Sequence, residues 1–260
     1  MNMRFKPLLI LFLLIPTMAW GEVDTDGTDD LISLTSNTSI DDLTTYTASL
    51  WFKADTYRSA DWTCLLCKYV TTGTVLIEVS NVSATNALDT FWATTGANML
   101  SVSSNSVVTT GVWYNVIVTF DNAGDRKGRI YLNGIEVSYA SQGAATGSLF
   151  SNGANNLEAG RIGIPGRNFD GKISEIAIWN VILTSQEILN LANSRIKRMP
   201  LQIRPTALRG YWPLDDSPDG TNFDGDTAKD LSANANNGTG DNGSDNTGLT
   251  AVAEEVLSYP

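Results

Sequence analysis

The sequence predicts an all-β fold, an antiparallel sandwich with one short helix near residues 184–193. Three observations predict it. Apolar and polar residues alternate with period two along several segments, a tight-turn signal separates two of those segments, and a capped helical pattern occurs at one place. In the first segment Tyr46, Ala48, Leu50 and Phe52 alternate with Thr47, Ser49, Trp51 and Lys53. Val116, Val118 and Phe120 alternate with Ile117 and Thr119, and Ser174, Ile176 and Ile178 with Glu175, Ala177 and Trp179. β-Branched and aromatic residues at this period read as strand. Several of these strands are apolar on both faces, as inner strands of a sandwich can be. Asn133-Gly134 lies between Arg129–Leu132 and Ile135–Val137. Both residues take positive φ at low cost, which predicts a tight hairpin.

Thr184 and Glu187 form a capping box: the hydroxyl accepts the Glu187 amide while the carboxylate reaches back to the cap. Ile188, Leu189, Leu191 and Ala192 supply a short apolar face, predicting a helix to about Asn193. Residues 195–207 are basic at first and hold Pro200 and Pro205, the pattern of a connector. Beyond Asp215 the chain turns to Asp, Asn, Gly, Ser and Thr, a loop composition. Leu208–Leu214 before it and Val252–Leu257 after it read as strands that tie it down.

Composition excludes several chemistries. The 260 residues contain no His, so a Ser-His-Asp triad, a Cys-His pair and His-ligated zinc are ruled out. Two Cys cannot build a four-cysteine zinc site or a disulfide-stapled scaffold. A net charge of -11 argues against nucleic acid and against an anionic membrane surface. At the start, Arg4 and Lys6 precede an unbroken apolar run from Leu8 to Ile15, then Pro16, with Ala19 and Gly21 as small residues at the -3 and -1 positions. This is the pattern of a secretory signal peptide over residues 1–21 cleaved after Gly21. The other reading, a membrane anchor, meets a length mismatch. Eight residues span about 12 Å as helix, against a hydrocarbon core of about 30 Å. The expected location is extracellular, without membrane insertion.

The order of motifs points to a family. Residues 24–32 (DTDGTDDLI) and 47–55 (TASLWFKAD) resemble the opening strands of laminin G-like, concanavalin A-like jelly rolls. Residues 65–68 (LLCK) fit the next strand, and 113–121 (WYNVIVTFD) resemble the central one. Residues 128–134 (GRIYLNG) fit the family's hairpin, and 169–180 (FDGKISEIAIWN) with 183–188 (LTSQEI) its closing strand and helix. The resemblance implies a jelly roll whose body is residues 22–194. In the tail, 208–216 (LRGYWPLDD) and 229–239 (KDLSANANNGT) resemble the segment that usually opens such domains. Residues 208–260 are therefore expected to complete the same sandwich from the C-terminal end. The alternative is a truncated second domain, whose strand edges would be left exposed.

The family resemblance also frames the chemistry. Glucanases on this scaffold resemble Glu-x-Asp-x-x-Glu on one strand. Here Glu175 is followed by Ala177 and Asn180, so one carboxylate remains where two are needed. The expectation is no catalytic residue and no enzyme. An EF-hand is rejected, because Asp29 and Thr35 stand where Gly and Glu are required. The pentraxin-type calcium site has no carboxylates in residues 160–167. A different, structural Ca2+ is expected from Glu175, Asp215, Asp230 and Asn234, hard oxygen ligands near a loop. The same residue types also simply form turns. Cys64 and Cys67, three apart in a strand, are expected on opposite faces about 10 Å apart, hence as thiols unless a turn intervenes. Tyr57, Trp62, Trp92 and Tyr69, near strand ends or loops, are candidate sugar contacts, the first three the leading ones. Trp51, Trp113, Trp179 and Trp212 are expected in the core. The expected function is a secreted, non-catalytic binding or adhesion module recognising carbohydrate or a cell-surface protein. The alternatives are a structural module of an extracellular assembly and, third, a polysaccharide-active enzyme.

Overall fold

The structure, a computed structural model, describes residues 21–57, 62–69, 73–80, 85–162, 167–193, 199–218, 220–244 and 248–253. The signal-peptide pattern up to Trp20 and residues 254–257 of the last expected strand lie outside the described residues. In chain order the strands are β1 (Gly21–Asp26), β2 (Leu31–Ser33), β3 (Thr45–Thr56), β4 (Trp62–Tyr69), β5 (Gly73–Ser80), β6 (Ala87–Trp92), β7 (Met99–Ser103) and β8 (Trp113–Asp121). Then come β9 (Gly128–Leu132), β10 (Ile135–Glu136), β11 (Tyr139–Gly143), β12 (Glu158–Ala159) and β13 (Asp170–Trp179). The single α-helix among the described residues is α1 (Ser185–Leu191), followed by a 3-10 turn at Met199–Gln202. Last are β14 (Leu208–Trp212), β15 (Thr227–Ala228), β16 (Gly238–Asp241) and β17 (Thr250–Ala253).

Among the described residues these strands form two antiparallel sheets, a jelly-roll sandwich. One runs β10-β9-β8-β3-β13-β1-β17, with β14 also on β13, and the other β11-β7-β6-β5-β4-β12-β2-β16-β15. The inner face of the first sheet presents Leu50, Phe52, Val118, Phe120 and Ile178, and the second presents Leu66, Ile77, Leu88 and Trp92. They meet in one buried cluster, and burial of this kind is the main favourable term, about 1.5–3 kcal/mol for each large side chain. The outward faces of β8 and β13 are apolar too. Ile117, Ala177 and Trp179 pack under Ile188 and Leu191 of α1. That second layer is why these central strands carry apolar residues on both faces.

The hairpin forms at Asn133 and Gly134, at φ 52° and 82°, the positive values the dipeptide was expected to take. The capping box forms as well. Thr184 accepts from the Glu187 amide, and Glu187 accepts from the cap's own N–H. Strand β13 departs from strict alternation. A register shift between Ser174 and Ala177, with Glu175 at φ 54°, puts Ile173 rather than Ser174 beside Ile176 and Ile178 in the core.

That shift marks a junction. One edge of β13 pairs with β3 along its length. On the other edge, β1 pairs with residues 170–173 and β14 with residues 176–179. The start of the described chain and the C-terminal segment thus share one strand edge. β17 continues the sheet beyond β1, and β16 pairs with β2 in the second sheet. Removing residues 208–260 would strip pairing partners from β13, β1 and β2 and uncover Trp179 and Phe223's neighbours in the core. The truncated chain is expected to be insoluble or to lack a cooperative melt, measured against the full chain by thermal unfolding; a cooperative transition at the full-length temperature would contradict this.

Candidate functional site

The solvent-facing side of the second sheet carries the site, and a strand irregularity creates it. Trp62 and Tyr69 are an odd number of positions apart on β4, so strict alternation would point them to opposite faces. The β4–β5 register shifts between Cys64 and Leu66 and again between Leu66 and Cys67. Leu65 and Leu66 consequently both enter the core, and the parity of everything after them is reversed. Trp62, Cys64, Cys67 and Tyr69 then stand on the same side. Cys64 and Cys67, expected as thiols on opposite faces, are joined in a disulfide with Cα atoms 6.3 Å apart. The bulge is the physical reason: it shortens the path between the residues and turns both sulfurs the same way. The bridge packs with Ile162, Tyr69 and Phe91, and the two aromatics line a cleft. Tyr69 and Phe91 meet edge to face, with centroids 6.0 Å apart.

Neighbouring strands bring in the polar groups. In register, Cys64 faces Glu78 of β5, Glu78 faces Asp89 of β6, and Asp89 faces Val102 of β7. Arg167, from the segment leading into β13, reaches over the row. Its Nη1 lies 3.1 Å from Glu78 Oε2, and its guanidinium carbon lies 4.9 Å from the centre of the Trp62 ring. Trp62 also hydrogen-bonds Asp89, which in turn hydrogen-bonds Glu78. The resulting cleft holds about 390 Å³ and is completed by Ser80 and Leu100. Trp62 is 37% exposed and Leu100 38%, whereas Glu78 and Asp89 are buried.

Burial pushes the Asp89 carboxyl well above the usual range, and the adjacent Glu78 charge and hydrogen bond push it further. Arg167 and the Trp62 hydrogen bond oppose the shift without cancelling it. Protonation of Asp89 is thereby favoured beside Glu78, and Arg167 is the cation that faces the pair. Asp89 Oδ1 has no hydrogen-bond partner within the protein. The cleft thus offers stacking surface beside groups that both donate and accept hydrogen bonds.

Of the aromatic candidates, the structure brings Trp62 and Tyr69 together here and leaves the other two elsewhere. Trp92 is on the opposite face of β6, buried against Tyr46 and Phe120, and its indole N–H donates to the Phe150 carbonyl. The strand period, which sends Phe91 outward, sends Trp92 inward, so it has no surface to offer a ligand. Tyr57 packs against the main core, and its hydroxyl donates to the Thr109 carbonyl. Burial raises the pKa of that hydroxyl. Glu78, Asp89 and Arg167 escaped the sequence reading. The available signal was a carboxylate interrupting each of two apolar strands, at 78 and 89, but nothing local shows that those strands are neighbours in register.

The four residues expected to gather calcium do not converge. Asp230 spends both oxygens on donors: Oδ1 accepts from the Tyr211 and Ser232 amides, and Oδ2 from the Ser232 hydroxyl and the Asn236 amide. Asn234 donates to the Leu208 and Arg209 carbonyls. Glu175 accepts from the Tyr211 hydroxyl at 2.7 Å, at the far end of the side chain whose backbone Asp230 binds. Asp215 lies against Gly21 at the start of β1. Among the described residues no three Cys, Asp or Glu side chains are grouped to hold a metal ion. The donor set does not fit calcium. It fits a turn that fastens the tail to β14.

The chain belongs to the concanavalin A-like lectin/glucanase superfamily, whose laminin G-type family profile matches residues 26–189. Among curated proteins none matches significantly. Among solved structures, a Bacteroides ovatus protein with a proposed carbohydrate-binding role superposes with a TM-score of 0.63 at 20% identity. The match covers 92% of this chain and 60% of that one, so this chain spans less than two thirds of that protein's length. The binding domain of paraclostridial mosquitocidal protein 1 superposes with a TM-score of 0.52 at 14% identity, covering 66% of this chain and 42% of that one. These likenesses are of fold. No helix among the described residues is long and apolar enough to cross a membrane.

Two predictions follow from the geometry of the turn and the bridge. Asp230→Ala leaves several buried donors unpaired, at about 1–3 kcal/mol each when unrelieved. Its melting temperature is expected to fall equally in EDTA and in millimolar calcium; a loss seen only with calcium present would restore the metal reading. The Cys64→Ala/Cys67→Ala variant opens a very short loop, for which loop-closure entropy gives about 2 kcal/mol. Urea denaturation should show a loss of that order with the slope unchanged.

Proposed function

We propose that the chain is a secreted, non-catalytic carbohydrate-binding module whose ligand face is the cleft on β4–β7. One observation carries this reading: a half-exposed Trp62 stands beside buried Glu78, Asp89 and Arg167 in a concave site. Sugar rings present C–H faces that stack on aromatic surfaces and hydroxyls that need both donors and acceptors. A cleft of about 390 Å³ is within the range of about 300–1,000 Å³ typical of small-ligand sites. The carbohydrate-binding role proposed for the Bacteroides ovatus protein of the same fold supports the reading. Residues 1–21 support export, and the Cys64–Cys67 disulfide suits an oxidising destination.

The same pair of carboxyls argues against hydrolysis. Glycosidases hold their carboxyls about 5–5.5 Å apart when retaining and about 6.5–9.5 Å when inverting. Glu78 and Asp89 share a hydrogen bond, leaving no room between them for a glycosidic oxygen. Glu175, the remaining candidate, is buried against Tyr211. Adhesion to a surface protein is the second reading, favoured by the exposed apolar Leu100 at the cleft rim.

A glycan array with the full chain tests the proposal. Trp62→Ala should weaken binding of any captured glycan roughly tenfold, which is about 1.4 kcal/mol. Reducing-end assays on the same glycans should stay at background. A blank array, or binding indifferent to Trp62→Ala, would reject this cleft as the ligand face.

A further inference from the structure

Resting on the carbohydrate reading above, the geometry points to a ligand class: the cleft takes neutral saccharides and turns away uronates and sulfated sugars. A site that selects an anionic sugar presents a cation whose hydrogen bonds are open to it, most often an Arg fork. Among the described residues Arg167 is the cation lining this cleft, and it is already engaged. It is ion-paired with Glu78 at 3.1 Å and laid over Trp62. A sugar carboxylate that reached the remaining N–H groups of Arg167 would stand beside Glu78, a carboxylate whose side chain is 4% exposed and whose charge the same guanidinium already balances.

Charge balance says the same. One guanidinium, Arg167, lines the cleft with two buried carboxyls, Glu78 and Asp89, so the cleft holds no surplus of positive charge. An entering carboxylate or sulfate would meet Glu78 at short range. At longer range it would meet a chain of net charge -11. A neutral sugar meets no such opposition. Its ring can stack on the exposed part of Trp62.

Affinity electrophoresis of the full chain tests this, with mixed-linkage β-glucan, xylan and galactomannan as neutral probes and polygalacturonate and alginate as anionic ones. The wild type should be retarded by at least one neutral polymer and by neither anionic polymer. The informative variant is Glu78→Gln/Asp89→Asn, which preserves shape and removes the carboxyls that hold Arg167. Both are changed because Asp89, relieved of Glu78, could ionise and take the guanidinium over. This variant should gain roughly tenfold in affinity for polygalacturonate. The gain should vanish at about 1 M salt, where the screening length falls to about 3 Å. Wild-type retardation by polygalacturonate, abolished by Trp62→Ala, would overturn the charge selection and leave the carbohydrate reading intact. Retardation by none of these polymers would overturn both. The wild-type comparison stands even if the double variant does not fold.

Discussion

Side chains on a β-strand alternate, and Trp62 and Tyr69 violate that alternation only because β4 is bulged between Cys64 and Cys67. The site rests on this constraint. The paired register shifts send Leu65 and Leu66 together into the core and leave Trp62, Cys64, Cys67 and Tyr69 on the opposite face of the sheet. The disulfide closes across the insertion and fixes its place in the strand. Without the bulge, either Trp62 or Tyr69 would turn inward, and the row of Glu78, Asp89 and Val102 would lose its aromatic wall. Bulges commonly serve to re-aim a side chain beside a functional site.

The acidic pair is the second constraint. Two carboxylates about 4 Å apart repel by about 4 kcal/mol at an effective dielectric near 20. Burial penalises the second charge further, so protonation of Asp89 is favoured. Arg167 pairs with Glu78 and lies over the Trp62 ring. Each member holds another in place: Trp62 bonds Asp89, Asp89 bonds Glu78, and Glu78 bonds Arg167. The cleft is therefore preorganised, which lowers the entropic cost of binding.

The same logic of shared edges governs the scaffold. β13 offers one edge to β3 and divides the other between β1 and β14. The bulge at Glu175 lies where those two partners meet, and the buried hydrogen bond from Tyr211 to Glu175 ties β14 to the junction. Asp230, binding the Tyr211 amide, extends that tie into the tail turn. The polar composition beyond Asp215, which read as loop, thus encodes a turn whose carboxylate is saturated by backbone donors. A polar segment orders itself here by hydrogen bonding to a strand already anchored in the sheet.

Local chemistry determined much by itself. The alternation at 46–52 and 116–120, the Asn133-Gly134 hairpin and the Thr184–Glu187 box all depend on neighbours within a few residues, and all were legible in the sequence. Trp62 was legible as a candidate because an aromatic at a strand end is rarely fully enclosed. Tertiary structure decided what depends on parity and register. A bulge is a one-residue choice of strand pairing that no local pattern announces, and it alone settles whether Cys64 can reach Cys67. Trp92 and Phe91 are equally aromatic and adjacent, and which of them faces the core follows from how β6 lies against β5 and β7. Glu78 and Asp89 become a pair, and Arg167 their counterion, only when β5 and β6 are laid side by side with residue 78 opposite residue 89.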